Sequence, residues 1–234
     1  MRLGMVIDLQ KCVGCGGCDL ACKTENNTAD GIQWSSHLNV TEGRFPDVKY
    51  SYIPTLCNHC SDAACVKVCP TGAMYKDKRG LTLQENDKCI GCRKCMRACP
   101  YGVISYNKQK PHRKWQDDQA LIEGATASPY ALLKRVDNKV LPYLNPERGD
   151  TYPVTRSRRT TEKCTFCDHR LDQGLKPACV SACPSNARVF GDLNDPTSEA
   201  ARLISMHKTQ QLNLDANTNP NVYYIRSFNV KTIY

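Results

Sequence analysis

Hydrophobic positions along this chain come in short bursts separated by polar stretches, and each burst is long enough for one strand or a few helical turns. Met1 to Gln10 carries Leu3, Met5, Val6 and Ile7 and predicts a strand. Asp19 to Thr24 begins a helix. Residues 25–50 are polar, with Asn26-Asn27, Asp30-Gly31 and Gly43, and read as a surface connection with a hairpin around Val40 to Gly43. Trp34 and His37 within it read as packing residues. Tyr50 to Leu56 predicts a strand, Ala73 to Leu83 a hairpin turning at Asp77-Lys78-Arg79-Gly80, and Val103 to Tyr106 another short strand. Residues 107–163 hold many charges and prolines at 111, 129, 142, 146 and 153. They read as an insertion, either a solvated excursion or a partner-docking lobe, with a short helix over Ser128 to Arg135 opened by Pro129. Beyond it, Ala187 to Gly191 predicts a strand. Asp195 and Pro196 start a helix running to about Gln211, and Val222 to Ile225 forms a terminal strand.

Cysteine interrupts this pattern at regular places. Lys88 to Pro100 contains Cys89, Cys92, Cys95 and Cys99 and reads C-x2-C-x2-C-x3-C-P, the ligand run of a bacterial ferredoxin. Three closely spaced thiolates on a loop of little bulk can wrap three corners of one iron-sulfur cube, and Gly91 lets the backbone pass close to its sulfides. The fourth cysteine points away and ligates a neighbouring cube, so one run implies a second. Three relatives of the run are present: Cys12, Cys15, Cys18 and Cys22; Cys57, Cys60, Cys65 and Cys69 with Pro70; and Cys164, Cys167, Cys179 and Cys183 with Pro184. The four runs use all sixteen cysteines. Which runs share cubes is not fixed by spacing. The second and third are adjacent and together look like a simple two-cluster ferredoxin, which leaves the first and fourth to pair across them. That gives an α+β fold of two ferredoxin-like two-cluster modules, the second nested within the first: residues 1–49 and 164–234 form one, 50–106 the other, and 107–163 the insertion.

Composition narrows the chemistry. A disulfide framework has no reason to repeat C-x2-C-x2-C-x3-C-P, and structural zinc takes two pairs of ligands where these runs offer three cysteines plus one. The hydrophobic fraction is 41% and includes the cysteines, so metal is expected to supply part of the cohesion. The formal charge of +9 suggests nucleic acid or a membrane surface until the clusters are counted. Sixteen thiolates and four oxidised cubes bring the loaded chain to about +1, and full reduction to about −3. No nucleic-acid role is called for, and no stretch of eighteen apolar residues is present to span a bilayer. A cleavable leader is not expected, because Met1 to Gln10 reads as a strand running into the first ligand run.

These residues resemble the four-cluster iron-sulfur subunits of the molybdopterin-dependent dimethyl sulfoxide reductase superfamily, closest to the small subunits of respiratory arsenate reductases. The resemblance spans the whole chain. It rests on the four runs in order, Cys12-Val13-Gly14-Cys15-Gly16-Gly17-Cys18, Thr41-Glu42-Gly43, Asn145 to Pro153, Arg159 to Arg170, Gly191 to Pro196 and Val222-Tyr223-Tyr224-Ile225. It implies four [4Fe-4S] clusters: the first, nearest the catalytic subunit, on Cys12, Cys15, Cys18 and Cys183; the second on Cys22, Cys164, Cys167 and Cys179; the third on Cys57, Cys60, Cys65 and Cys99; the outermost on Cys69, Cys89, Cys92 and Cys95. Some relatives replace one cysteine of the third run and carry a three-iron cluster there, whereas this chain keeps all of them.

The resemblance implies an electron-transfer subunit with no catalytic residues of its own. It would join a cytochrome or quinol-oxidising donor to a large catalytic subunit that holds the molybdenum bis-pterin cofactor. Arsenate is the implied terminal substrate, with thiosulfate, polysulfide and tetrathionate as alternatives. The implied compartment is the periplasm, reached folded on a partner bearing a twin-arginine signal, with the cytoplasm as alternative. Independent catalysis has little support: after Cys18 and Cys22, or Cys95 and Cys99, the position that a radical motif C-x3-C-x2-C requires is Glu25 or Gly102. A zinc-stapled interaction module remains as the rival class. Lys11, Lys23, Lys88, Arg93, Lys94, Arg97, Lys163 and Arg170 adjoin ligands and read first as solvated charge. His59 and His169 read as packing or hydrogen-bonding residues, since each cube already has four cysteines.

Overall fold

The computed structural model of the chain describes residues 1–109, 122, 124–136 and 156–228. The Asn145 to Pro153 stretch and most of the insertion lie outside these. The central feature is a four-stranded sheet built from β1 (Leu3–Asp8), β8 (Arg188–Asp192), β9 (Thr209–Gln210) and β10 (Val222–Ile225), in the order β8-β1-β10-β9. The first strand lies antiparallel to β8 and parallel to β10, with Met5 opposite Phe190 on one side and Val222 on the other. The two ends of the sequence therefore meet at its centre.

Both faces of β1 are covered, which is why it reads as continuous apolar sequence. Met5 and Ile7 join Tyr224, Leu56 and Phe166 in the main core, while Val6 faces the opposite way with Val189, Leu193, Ile225 and Ala200. Full burial contributes roughly 1.5–3 kcal/mol for each such side chain. Gly4 is required by this crowding: a methyl group there would land on Leu193 Cδ1 and the Asn221 carbonyl. Gly4→Ala is expected to cost on the order of 1–3 kcal/mol, read as a lower denaturant midpoint with an unchanged slope.

The polar stretch before Tyr50 is more regular than its sequence suggests. The hairpin expected around Val40 to Gly43 is present but longer and turns later: β2 (Ser35–Arg44) and β3 (Asp47–Leu56) pair along their whole length, turning at Phe45 and Pro46. The outer half of β3, Asp47 to Tyr50, is exposed throughout, while β2 alternates, with Leu38 and Val40 half-buried against the main core. Trp34 and His37 do pack: Arg156 lies 4.5 Å over the Trp34 ring, and His37 stacks on Tyr52 while its Nδ1 lies 2.9 Å from Asp19 Oδ2.

Two small ladders follow. β4 (Met74–Lys76) and β5 (Thr82–Gln84) form the expected hairpin, whose turn is held by Asp77 Oδ1 accepting from the N–H groups of Arg79 and Leu81. β6 (Ser105–Tyr106) pairs with β7 (Thr161–Glu162). Asn107 and Arg159 meet there: the Asn107 N–H donates to the Thr160 carbonyl, and the Arg159 N–H donates back to the Asn107 carbonyl.

The described helices are short. α1 (Gly17–Asn26), α2 (Ala64–Lys67), α3 (Lys94–Ala98), α5 (Asp168–Leu171) and α6 (Ala178–Ser181) follow or contain cysteines, while α4 (Pro129–Val136) is the expected helix opened by Pro129. The last, α7 (Glu199–Met206), is shorter than its sequence predicts. Asp195 does not cap it, because Asp195 Oδ1 accepts from the Thr197 N–H and hydroxyl and holds Pro196 and Thr197 in a turn. At the other end His207 is extended, and Thr209 and Gln210 leave the helix to pair with β10.

Candidate metal centres

All four runs bend in the same way. The residue before the second cysteine is Gly14, His59, Gly91 or Phe166, and each has positive φ (69°, 43°, 67° and 56°). This left-handed step turns the C-x2-C loop back on itself so that both thiols can face one point. Glycine adopts it freely, whereas a side chain costs roughly 1–2 kcal/mol. Runs one and three use glycine, and the other two use aromatic rings that stack on each other at 3.9 Å and 14°.

A second likeness joins runs two and four. Ala64-Cys65-Val66 leads to Cys69-Pro70, and Ala178-Cys179-Val180 leads to Cys183-Pro184; each cysteine pair begins in a one-turn helix. In both, a backbone N–H beyond the proline returns to the last thiol: Met74 to Cys69 Sγ at 3.4 Å, and Ala187 to Cys183 Sγ at 3.3 Å. Burial opposes ionisation of Cys69 and Cys183, but these N–H groups with Thr71 and Ser185 outweigh it, and both thiols lie below the ordinary range.

Helix packing then brings runs together, α2 against α3 and α1 against α6. Cys57, Cys60 and Cys65 of run two line one cavity with Cys99 of run three. Cys89, Cys92 and Cys95 of run three line another with Cys69 of run two. Cys22, Cys164, Cys167 and Cys179 are all buried; burial, then the charges of the other three, push the Cys22 thiol well up. Asn26 Nδ2 donates toward both Cys22 Sγ (3.5 Å) and Cys167 Sγ (3.7 Å). Around run one, Gly17 sits beside Cys15 Sγ and the carbonyl of Ala182, the neighbour of Cys183. Cys15 and Cys92 are the two exposed cysteines.

The donor set fits iron-sulfur clusters. All sixteen thiols are free. Among the described residues no three His, Cys, Asp or Glu side chains close around a single-ion position, and the cysteines instead ring cavities. Burial pushes the Cys18 thiol to about 11 and the Cys65 thiol to about 12. Such thiols stay protonated without a metal charge to draw off their protons. Asn58 lines the cavity of Cys57, Cys60, Cys65 and Cys99, and its buried Nδ2 has no hydrogen-bond partner among the described residues, so it is available to cluster sulfur there.

The two histidines beside ligands make contacts of their own. His59 Nδ1 accepts from the Thr82 N–H at 3.1 Å, and burial with Lys163 and Lys76 keeps the ring neutral, so the proton is assigned to Nε2. His169 Nε2 lies 2.8 Å from Glu25 Oε1 and ties α5 to α1. Of the cations beside ligands, Lys163 is buried, whereas Lys11, Lys88, Arg93, Lys94 and Arg97 are exposed and Lys23 and Arg170 half-buried. The sequence offered no signal for Thr161, whose Oγ1 lies 3.6 and 3.7 Å from Cys89 and Cys95 Sγ, or for Arg188. Strand pairing delivers Thr161, and β8 delivers Arg188.

Comparison with known proteins agrees with this geometry. A model of the 4Fe-4S dicluster domain matches residues 48–117 and 116–193. The chain is 71% identical to the iron-sulfur subunit of arsenate respiratory reductase from Shewanella sp. strain ANA-3, over 100% of both chains. It is 37% identical to a selenate reductase subunit of Mesobacillus selenatarsenatis, over 94% of this chain and 70% of that one. With a tetrathionate reductase subunit of Salmonella typhimurium identity is 30%, over 96% and 72%. Among the described residues no helix is long and apolar enough to cross a membrane. With two cavities lined by free thiols of two runs each, and relatives of this kind along its whole length, the chain belongs to the 4Fe-4S iron-sulfur subunits of the dimethyl sulfoxide reductase family.

Proposed function

We propose that this chain is the electron-transfer subunit of a respiratory arsenate reductase, relaying electrons from a cytochrome or quinol-oxidising donor to a catalytic subunit that holds a molybdenum bis-pterin cofactor. The observation that carries the relay is the pair of cavities each lined by three cysteines of one run and one of another. The first cluster takes Cys12, Cys15, Cys18 and Cys183, and the second Cys22, Cys164, Cys167 and Cys179. The third takes Cys57, Cys60, Cys65 and Cys99, and the fourth Cys69, Cys89, Cys92 and Cys95. Two ferredoxin-like modules follow, residues 1–49 with 164–234 around residues 50–106, with 107–163 as an insertion; the central sheet that joins β1 to β8 and β10 supports this nesting. The full-length identity to an arsenate respiratory reductase subunit supports the substrate. The complex works in the periplasm, and the chain is exported folded with a partner bearing a twin-arginine signal.

When bound, each cluster supplies one centre that takes up or gives up a single electron. The chain's own residues set where those centres stand and how readily they are reduced. Backbone N–H groups and Asn26 direct hydrogen bonds at thiolate sulfur, which favours the more negative state. The stacked His59 and Phe166 fill the space between runs two and four and exclude water from it. At the ends, Val13 (70% exposed) follows Cys12 and Ile90 (66% exposed) follows Cys89, giving each outer loop an apolar contact for a partner.

The test is reoxidation of the dithionite-reduced complex, copurified with its catalytic subunit, by a panel of oxyanions. Arsenate is expected to restore the brown absorbance, with about sixteen irons per chain. Reoxidation by thiosulfate, polysulfide or tetrathionate and not by arsenate would reassign the substrate, and colourless zinc-containing protein would sink the relay.

A further inference from the structure

One threonine reaches two cysteines of a single run from far outside it. Cys89, Cys92, Cys95 and Cys69 line a cavity whose wall is completed in part by Thr161. Thr161 is 1% exposed, and its Oγ1 lies 3.6 Å from Cys89 Sγ and 3.7 Å from Cys95 Sγ. The two cysteines are 72 and 66 residues away along the chain, so the fold makes this contact and local sequence does not. Thr71 and Ser185, by contrast, stand two residues after a ligand and reach one thiol each. Thr161 is held from two sides: it pairs with Tyr106 in the β6–β7 ladder, and Gln84 Nε2 donates to its carbonyl. Its hydroxyl has one further acceptor, Gln84 Oε1 at 3.4 Å.

A free thiol can give its proton to a hydroxyl, but a thiolate bound to iron can only accept. With a cluster in place the Thr161 O–H is therefore the donor at this contact, and its single proton faces two thiolates and the Gln84 amide oxygen. A hydrogen bond to a charged acceptor is roughly twice as strong as one to a neutral acceptor, so the thiolates hold the proton. Uptake of one electron takes a cube with four thiolates from about −2 to about −3 with no proton transferred, and a buried O–H dipole aimed at its sulfur gains strength with that charge. The reduced form benefits more. We propose that the Thr161 hydroxyl donates to the thiolates of Cys89 and Cys95 and raises the reduction potential of the cluster they hold. The segment leading into run four thus tunes a cluster built on other runs. This rests on the electron relay proposed above and on Cys89 and Cys95 sharing one cluster, which they do whether or not the runs exchange their last cysteines.

The test is a potentiometric titration of the intact complex followed by electron paramagnetic resonance, with dithionite as reductant and ferricyanide as oxidant. The centre to watch is the one that Cys89→Ser removes. Thr161→Val keeps the branched shape without the hydroxyl. It is expected to lower the potential of that centre by roughly a tenfold change in its one-electron equilibrium, about 59 mV, with the other centres in place. Thr161→Ser keeps a hydroxyl at the same atom and should restore most of the loss. Thr160→Val is the control for packing of the strand: it removes a neighbouring buried hydroxyl that donates to the Ser157 carbonyl at 2.7 Å, and should shift nothing. An unchanged centre in Thr161→Val, a Thr161→Ser variant as low as Thr161→Val, or an equal shift in Thr160→Val would each overturn the proposal. Should Thr161→Val fail to load that cluster, Thr161→Ala removes the hydroxyl without putting a methyl group in its place: a lowered potential there supports the proposal and an unchanged one overturns it. The ligand sets fail separately. Cys99→Ser matching Cys89→Ser would refute the crossing of runs, while a Thr161→Val shift of the Cys89 centre would still support the role of Thr161.

Discussion

Cys99→Ser is expected to abolish a centre other than the one built on its own loop. Cys99 belongs by sequence to the run of Cys89, Cys92 and Cys95, yet in the fold it lines the cavity of Cys57, Cys60 and Cys65. Loss of its thiolate removes the fourth ligand of that cluster, which sheds an iron or disassembles. The spectrum of Cys99→Ser should therefore match that of Cys57→Ser and differ from that of Cys89→Ser. The reciprocal exchange follows: Cys69→Ser should match Cys89→Ser, because Cys69 lines the cavity of run three. Electron flow through the complex should fall to background in every case, since a relay has no detour. If Cys99→Ser matched Cys89→Ser instead, each run would serve its own cluster and the crossed arrangement would be wrong.

Breaking the Arg156–Glu162 pair should cost about 3–5 kcal/mol, the toll of leaving one charge buried and unanswered. Both side chains are 1% exposed, with Arg156 Nε 3.4 Å from Glu162 Oε2. Asn107 Nδ2 donates to the same carboxylate oxygen at 3.0 Å, and Arg156 Nη1 donates to the Asn27 carbonyl at 3.1 Å. The pair therefore fastens the segment before run four both to the strand after run three and to the end of α1. Glu162→Gln and Arg156→Met should each lower the anaerobic denaturant midpoint of the loaded protein. Arg156→Met combined with Glu162→Leu should recover much of the loss, because an apolar pair avoids the unanswered charge. A loss below about 1 kcal/mol for both single changes would show that water reaches the pair and screens it.

Cysteine spacing made the cluster runs legible because thiolate geometry is dictated locally: C-x2-C has to close on one cluster whatever surrounds it. The strands β1 and β10 were legible because a strand covered on both faces has to be apolar throughout. The β2–β3 hairpin was legible only in part: its turn, expected around Val40 to Gly43, comes at Phe45 and Pro46, because the exposed start of β3, Asp47 to Tyr50, carries no alternation. Asp195 misled because Asp-Pro-Thr-Ser suits a tight turn as well as a helix start, and two hydrogen bonds to Thr197 chose the turn. Lys163 looked like one lysine among several beside ligands. Its burial depends on β5 and on Cys164 arriving at the same place, which no local pattern encodes.

The left-handed residue in each run divides the molecule into rim and interior. At the rim, Gly14 and Gly91 have no side chain, so the Tyr52 ring closes on the first loop and the Arg159 carbonyl on the third, beside Cys15 and Cys92. Inside, His59 and Phe166 occupy the equivalent positions at a conformational cost, and their rings keep two halves of the molecule in fixed apposition. One backbone bend thus serves two kinds of loop, a rim loop on which the chain itself closes in and an inner loop whose ring clamps it to another run.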